Sequence, residues 1–240
     1  MIFSKDNTLA DVVKFDFRTA RVFEKYSLDF CCNGNRTLEL ACNEINITPE
    51  NLLQEISSVI SVKDSSDNPE NWDLIKLINH ILEVHHSYIR NMIPVINNHS
   101  QKVKEAHGIN HPELIEISEI FEQLCYELDS HMHKEEMMLF PAIIQMVETQ
   151  DESNSKYLSP FGTINNPISV MEKEHSAAGI DLYKIRELSN NYLPPDDACN
   201  TYQVFFKELN EFEEDLHKHI HLENNILFPK AIALETKKFL

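Results

Sequence analysis

Two eleven-residue segments of this chain are near copies of each other. His131-Met132-His133-Lys134-Glu135-Glu136-Met137-Met138-Leu139-Phe140-Pro141 stands 88 residues before His219-Ile220-His221-Leu222-Glu223-Asn224-Asn225-Ile226-Leu227-Phe228-Pro229. Six of the eleven positions are identical. A similar offset, 89 residues, separates His86 from His175. A chain repeated in this way is constrained to a duplicated two-helix unit. Each half carries one lone histidine on its first helix and one His-x-x-x-Glu on its second.

The surrounding pattern agrees with helix. Glycine occurs only four times in 240 residues, and long stretches lack turn signals. From Trp72 onward four long helical segments are expected. The first covers about 72–99, with Ile75, Ile78, Leu82, Ile89, Ile93 and Ile96 at helical spacing. The second covers about 112–148, and the third runs from near Pro167 to near Asn190. The fourth follows Pro194-Pro195-Asp196 and reaches the C-terminus. Short connections and alternating faces predict an antiparallel four-helix bundle. The stretch 150–166 is long for a connection and is expected to be flexible or to cross one end of the bundle.

Residues 1–62 read as a small helical domain. Thr8 and Asp11 can cap a helix over Leu9 to Phe15, and a second, Arg18 to Tyr26, runs into the turn-like Cys31-Cys32-Asn33-Gly34-Asn35. Thr37 can start a third, and Thr48-Pro49-Glu50 places a capping side chain before a proline at the first position of a fourth. Polar residues 63–71 form the linker, and 72–240 the bundle, so the fold class is all-α.

Residues four apart on a helix lie about 40° apart around the axis and about 6 Å along it. His131 with Glu135, and His219 with Glu223, can therefore each reach one metal together. A lone histidine from each remaining helix completes four imidazoles and two carboxylates. If Glu135 and Glu223 bridge two metals, each metal receives two nitrogens and two oxygens, with positions left open. Mixed N/O ligation with open positions suits non-haem iron. His133 and His221 sit about 200° round from the first histidine of each pair, so they are expected to face away, on a solvated face or behind the ligands. His99, His107, His111 and His217 share no register with the pairs and are expected at the surface. On the first helix, spacing leaves His85 and His86 both open, with His80 a weaker third.

Formal charge is −18, which excludes non-specific binding to nucleic acid or anionic membrane, since both need a basic surface. No apolar run approaches the roughly 20 residues of a membrane span. The N-terminal stretch lacks the basic and apolar regions of a signal peptide. Five cysteines, two of them adjacent, do not form a disulfide framework, and a reducing cytoplasm is the expected setting.

These residues resemble the hemerythrin-like di-iron proteins of the iron–sulfur cluster repair family. The N-terminal unit is similar to that family's short domain with a vicinal cysteine pair, here Tyr26-Ser27-Leu28-Asp29-Phe30-Cys31-Cys32-Asn33-Gly34. The bundle carries His131-x-x-x-Glu135, Met171-Glu172-Lys173-Glu174-His175 and His219-x-x-x-Glu223-Asn224-Asn225-x-Leu227-Phe228-Pro229. The resemblance assigns the first-helix ligand to His86 rather than His85. It implies iron ligands His86, His131, Glu135, His175, His219 and Glu223, with Glu135 and Glu223 bridging. Two non-haem iron ions per chain, in an oxo- or hydroxo- and carboxylate-bridged centre, follow from it.

The resemblance further implies a cytoplasmic homodimer that restores iron–sulfur clusters damaged by nitrosative or oxidative stress. It would act as an iron donor more than as a turnover enzyme. Its partners would be damaged iron–sulfur proteins or cluster-assembly components, with nitric oxide or dioxygen as small ligands. Glu174 could serve as a base behind the ligands, as a transient iron ligand, or simply be solvated. Cys31 and Cys32 could receive iron, contact the client protein or sense redox state, or merely fill a turn. Two other functions use the same open positions: reduction of nitric oxide to nitrous oxide, and oxygen or nitric oxide sensing of the hemerythrin type.

Overall fold

The computed structural model describes residues 2–26, 28–30, 34–61, 68–149 and 159–238. Among these residues the chain is all-α, and its β pairing is a single isolated bridge between Thr8 and Thr37. It divides into two compact units. One comprises Met1–Leu77 and His217–Ala231, the other Ile78–Leu216 and Ile232–Leu240.

In the first unit, helix α1 (Leu9–Phe15) opens on a capping box. The Asp11 N–H donates to Thr8 Oγ1 at 3.1 Å, and the Thr8 N–H donates to Asp11 Oδ2 at 3.3 Å. Two otherwise orphaned donors are thus satisfied reciprocally. Leu9, Val12 and Val13 are buried at helical spacing. A 3₁₀ turn (Phe17–Thr19) leads into α2 (Ala20–Lys25), so the expected helix from Arg18 is broken at its start. The break has a local cause: Thr19 Oγ1 donates to the Asp16 carbonyl at 2.6 Å and Arg18 pairs with the Asp16 carboxylate at 2.7 Å. Helix α3 (Leu38–Glu44) is capped by Thr37. The starts of α1 and α3 are tied together, because Leu9 N–H donates to the Arg36 carbonyl and Leu38 N–H to the Asn7 carbonyl. Gly34 is required there, since a Cβ would collide with the Phe30 carbonyl oxygen. Helix α4 (Pro49–Ser61) begins where expected and buries Leu52, Leu53, Ile56 and Val59. Residues 63–67 of the expected linker lie outside the described residues, as do Cys31 and Cys32.

The rods of the bundle belong to the second unit except for residues 74–77 and 217–231, which belong to the first. The first rod starts with α5 (Leu74–His80), passes through a π-helical segment (Ile81–His86) and continues as α6 (Ser87–His107). It runs eight residues past the expected end because Ser100 and Val103 still face the core. The short turn at Gly108–Pro112 reverses the chain into α7 (Glu113–Lys134), a second π-helical segment (Glu135–Leu139) and α8 (Phe140–Thr149). The third rod is α9 (Asn165–Leu188), and the fourth begins with α10 (Asn200–Leu222). Helix α10 is followed by a third π-helical segment (Glu223–Leu227) and α11 (Phe228–Lys238).

Leu114, Ile117, Phe121, Leu124, Leu128 and Met132 form the buried stripe of α7. Phe121 meets Phe212 of α10 edge to face, with centroids 5.3 Å apart. The turn after α9 holds Asn190, Asn191 and Tyr192 in succession at positive φ. Tyr192 is a bulky residue for that region. Its hydroxyl donates to buried Glu213 Oε2 at 2.7 Å, and Arg186 pairs with the same carboxylate at 2.9 Å. Buried Glu235 receives Thr163 Oγ1–H at 2.6 Å and Ile164 N–H at 2.9 Å, closing the start of α9.

Candidate metal centre

Each of the three π-helical segments carries a predicted ligand: His86 in the first, Glu135 in the second and Glu223 in the third. Two of them open on Glu135 and Glu223, the carboxylates of the duplicated motif. In each, a backbone N–H reaches back five residues, from Phe140 to Glu135 and from Phe228 to Glu223. Such single-turn bulges widen the helix and recur at functional sites. In the first rod the bulge has a further effect. It turns both His85 and His86 inward, leaving them 4% and 0% exposed.

Within the second unit, His86, His131, Glu135 and His175 come together, all buried. One ligand atom from each of His131, Glu135 and His175 lies within 4.8 Å of the others. The Nε2 atoms of His131 and His175 face each other at 3.0 Å. His86 Nε2 is 3.3 Å from Glu135 Oε2, and His131 Nε2 is 3.4 Å from Glu135 Oε1. His85 is turned elsewhere, its Nδ1 at 3.0 Å from Asp215.

Neither oxygen of Glu135 has a hydrogen-bond partner among the described residues. A buried carboxylate without donors is destabilising by several kcal/mol, on the order of what a bound cation would offset. Two imidazoles and a carboxylate converging in this way can hold a metal ion, and an all-N/O donor set suits a borderline divalent cation such as iron.

The Nδ1 atoms of His86 and His131 are occupied. His86 Nδ1 lies 2.7 Å from Glu136 Oε1, which also accepts from Arg90 at 2.8 Å. Burial would raise the Glu136 carboxyl, but His86 and Arg90 outweigh it and hold it below the usual range. His131 Nδ1 lies 2.9 Å from Glu174 Oε2, and the second oxygen of Glu174 pairs with Lys134. The hydrogen bond from His131, with that from Lys134, holds the Glu174 carboxyl at about 2 against the opposing effect of partial burial. Each carboxylate fixes the proton on Nδ1 and leaves Nε2 as a lone pair directed at the centre. A cavity of about 190 Å³, lined by Leu128, Ala177 and Ala178, ends on His131, Glu174 and His175.

The first unit contains the second half of the motif. His219 Nε2 is 3.1 Å from Glu223 Oε1, and both residues are fully buried. His133 is exposed, as helix geometry predicts. His221 and His217 are not at the surface: they are buried and pack edge-on against Phe30 at 5.7 and 6.2 Å. Burial drives the His221 imidazole down to about 3. This corrects the surface position expected for His217 and, for His221, removes only the solvated-face alternative. Helical register gives direction relative to the ligands but not what packs on the opposite face. Sequence reasoning also missed Glu136, Arg90 and Lys134. A usable signal existed for Glu136, since the second copy of the motif places Asn224 there.

Comparison with known proteins points to a cation-binding family. Residues 77–231 match the family described as Hemerythrin HHE cation binding domain. Residues 5–60 match a family described as Domain of Unknown function (DUF542). The chain is 36% identical over 218 residues to "Iron-sulfur cluster repair protein YtfE" of Yersinia pestis (strain Pestoides F), covering 91% of this chain and 93% of that protein. It is also 36% identical over 223 residues to the protein of the same name from Yersinia pseudotuberculosis serotype O:1b (strain IP 31758), with the same coverage. No helix among the described residues is long and apolar enough to cross a membrane. A buried His/Glu cluster at paired π-helical bulges, two family matches and these relatives place the chain in the hemerythrin HHE cation-binding family, among proteins with a DUF542 domain ahead of the bundle.

Proposed function

We propose that this chain repairs damaged iron–sulfur clusters, as the name of its Yersinia relatives describes for them, and that it does so by donating iron. The observation that carries the reading is the buried Glu135 carboxylate, unpartnered by any donor among the described residues and flanked by imidazole Nε2 atoms. His86, His131, Glu135, His175, His219 and Glu223 would hold two non-haem irons, with Glu135 and Glu223 bridging. Supporting this, the second copy of the motif repeats the first: a buried His–Glu pair four residues apart, opening on a π-helical segment.

Bound iron would supply redox change and ligand exchange at its open positions. The ligands contain no thiolate, so they grip iron less firmly than the sulfur-rich clusters that would receive it. The chain's own residues govern release. Glu174 Oε2 holds the Nδ1 proton of His131, and Lys134 keeps that carboxylate charged, so His131 Nε2 stays available to metal until it is protonated. Cys31 and Cys32 would receive iron or contact the client. Residues 1–62 and 72–240 would act as two domains, a division supported by the family matches. Damage by nitric oxide or peroxide, a cytoplasmic setting, a homodimer and nitric oxide or dioxygen as ligands complete the proposal.

The test is direct. The protein, loaded anaerobically with ferrous iron, is mixed with a nitric-oxide-damaged iron–sulfur enzyme in the presence of an iron chelator. Recovered activity that tracks iron lost from this protein supports donation. Nitrous oxide evolved under reductant without recovered clusters would replace it with nitric oxide reduction. Reversible oxygen binding alone would replace it with a carrier or sensor.

A further inference from the structure

Glu136 belongs to the duplicated motif but not to its repeated part. The second copy has Asn224 at that position, and neither residue is a ligand in the proposed centre. The π-helical turn beginning at Glu135 sends successive side chains to one side of the helix. Glu135 Oε2 reaches His86 Nε2 at 3.3 Å while Glu136 Oε1 reaches His86 Nδ1 at 2.7 Å. One imidazole is therefore addressed at both nitrogens by two consecutive glutamates. Arg90, one helical turn after His86, donates to the same Glu136 oxygen at 2.8 Å. The His86 ring also stacks on Phe140, 5.9 Å between centroids and 25° between planes. Ring plane and ring rotation are thus both restrained.

We propose that Glu136 is a positioning residue for His86, anchored by Arg90. It holds the proton on Nδ1, fixes the ring's rotation against Phe140 and so presents Nε2 as a lone pair. The inference rests on the di-iron reading for its metal consequence, and on this chain's hydrogen bonds for its chemistry. An outer carboxylate of this kind is worth about 10–100-fold in metal affinity. The exposed Arg90 lends it a charge-assisted partner.

The test uses the full chain with the substitutions Glu136→Ala, Glu136→Gln and Arg90→Gln. Histidine ring ¹⁵N shifts of the metal-free protein should report an Nδ1–H tautomer for His86 in the parent and a mixture in Glu136→Ala. After anaerobic loading with ferrous iron, one iron per chain should leave Glu136→Ala to a ferrous chelator about 10–100-fold faster than it leaves the parent. The other should leave at the parental rate. Glu136→Gln keeps an acceptor oxygen and should restore both the tautomer and most of the retention. Arg90→Gln, altered at an exposed side chain, should show a smaller change of the same sign and keeps the test valid should Glu136→Ala not fold. Parental tautomer and release rate in both Glu136→Ala and Arg90→Gln would overturn the positioning role while leaving the di-iron reading intact. A parent that binds less than about one iron per chain, yet shows the predicted tautomer change, would overturn the di-iron reading and leave the hydrogen-bonding role standing.

Discussion

Glu135→Gln should move the stability of the metal-free and iron-loaded protein in opposite directions. The Glu135 side chain is fully buried, and neither of its oxygens has a hydrogen-bond partner among the described residues. Its nearest polar neighbours are His86 and His131 Nε2 at 3.3 and 3.4 Å. Both of those rings already place a proton on Nδ1 toward Glu136 and Glu174. In the metal-free chain, neither Glu135 oxygen has a hydrogen-bond partner among the described residues, so its charge is buried without a donor. Glutamine has the same shape, carries no charge and brings an N–H of its own. Removing an unsatisfied buried polar group is worth about 1–3 kcal/mol. For a chain of this size, about 2–4 °C of melting temperature accompanies each kcal/mol. The metal-free variant should melt higher by several degrees. With ferrous iron in excess the sign reverses. Ligand at about 100 times its dissociation constant stabilises the parent by about 2.7 kcal/mol, and the variant forfeits most of that increment. Anaerobic circular-dichroism melts with and without ferrous iron measure both limbs. A metal-free variant that melts lower than the parent would refute the reasoning, since it would mean that Glu135 is satisfied without a cation.

Other expectations follow from the same geometry. His131→Ala should lose bound iron in metal analysis, while His133→Ala, an exposed position two residues on, should retain the parental content. His221 is held at about 3 by burial, so the folded chain resists its protonation. The penalty is absent above the unfolded value near 6.5 and grows by about 1.4 kcal/mol per pH unit as pH falls toward 3. His221→Phe should flatten the pH dependence of urea unfolding by about that slope between pH 6 and 4. Breaking the buried Arg186–Glu213 pair by Arg186→Met should cost about 3–5 kcal/mol because Glu213 is left uncompensated. Tyr192→Phe, which leaves the ion pair in place, should cost about 1 kcal/mol, read by the same unfolding titration.

Much of the architecture is legible in the amino-acid sequence. The caps at Thr8 and Thr37 and the Thr48-Pro49 start act within one turn of chain, and all three helices begin where those residues predict. The four rods of the bundle follow from apolar spacing that each helix carries on its own. The ligand candidates are legible for the same reason, because a four-residue separation and an internal repeat are properties of the string. Where sequence and structure part, the cause is a contact that the helical period does not carry. Arg18 and Thr19 fit a helix by spacing, but their bonds to Asp16 tighten the turn. His217 fits a solvated face, and His221 a solvated face or a place behind the ligands, but Phe30, nearly 190 residues away in sequence, covers them.

The choice between His85 and His86 shows the division most clearly. Adjacent residues on a regular helix diverge by about 100°, so spacing alone offers one inward histidine and cannot name it. The π-helical turn at Ile81–His86 brings both inside, and only their partners tell them apart: Asp215 for His85, Glu135 and Glu136 for His86. By itself the sequence determined that a duplicated helical chain would carry two His-x-x-x-Glu pairs and a lone histidine in each half. Tertiary structure decided which nitrogen of His86 and of His131 faces the centre and which carboxylate stands behind each. Those outcomes depend on hydrogen bonds between helices distant in the chain, a relation that no local pattern of residues encodes.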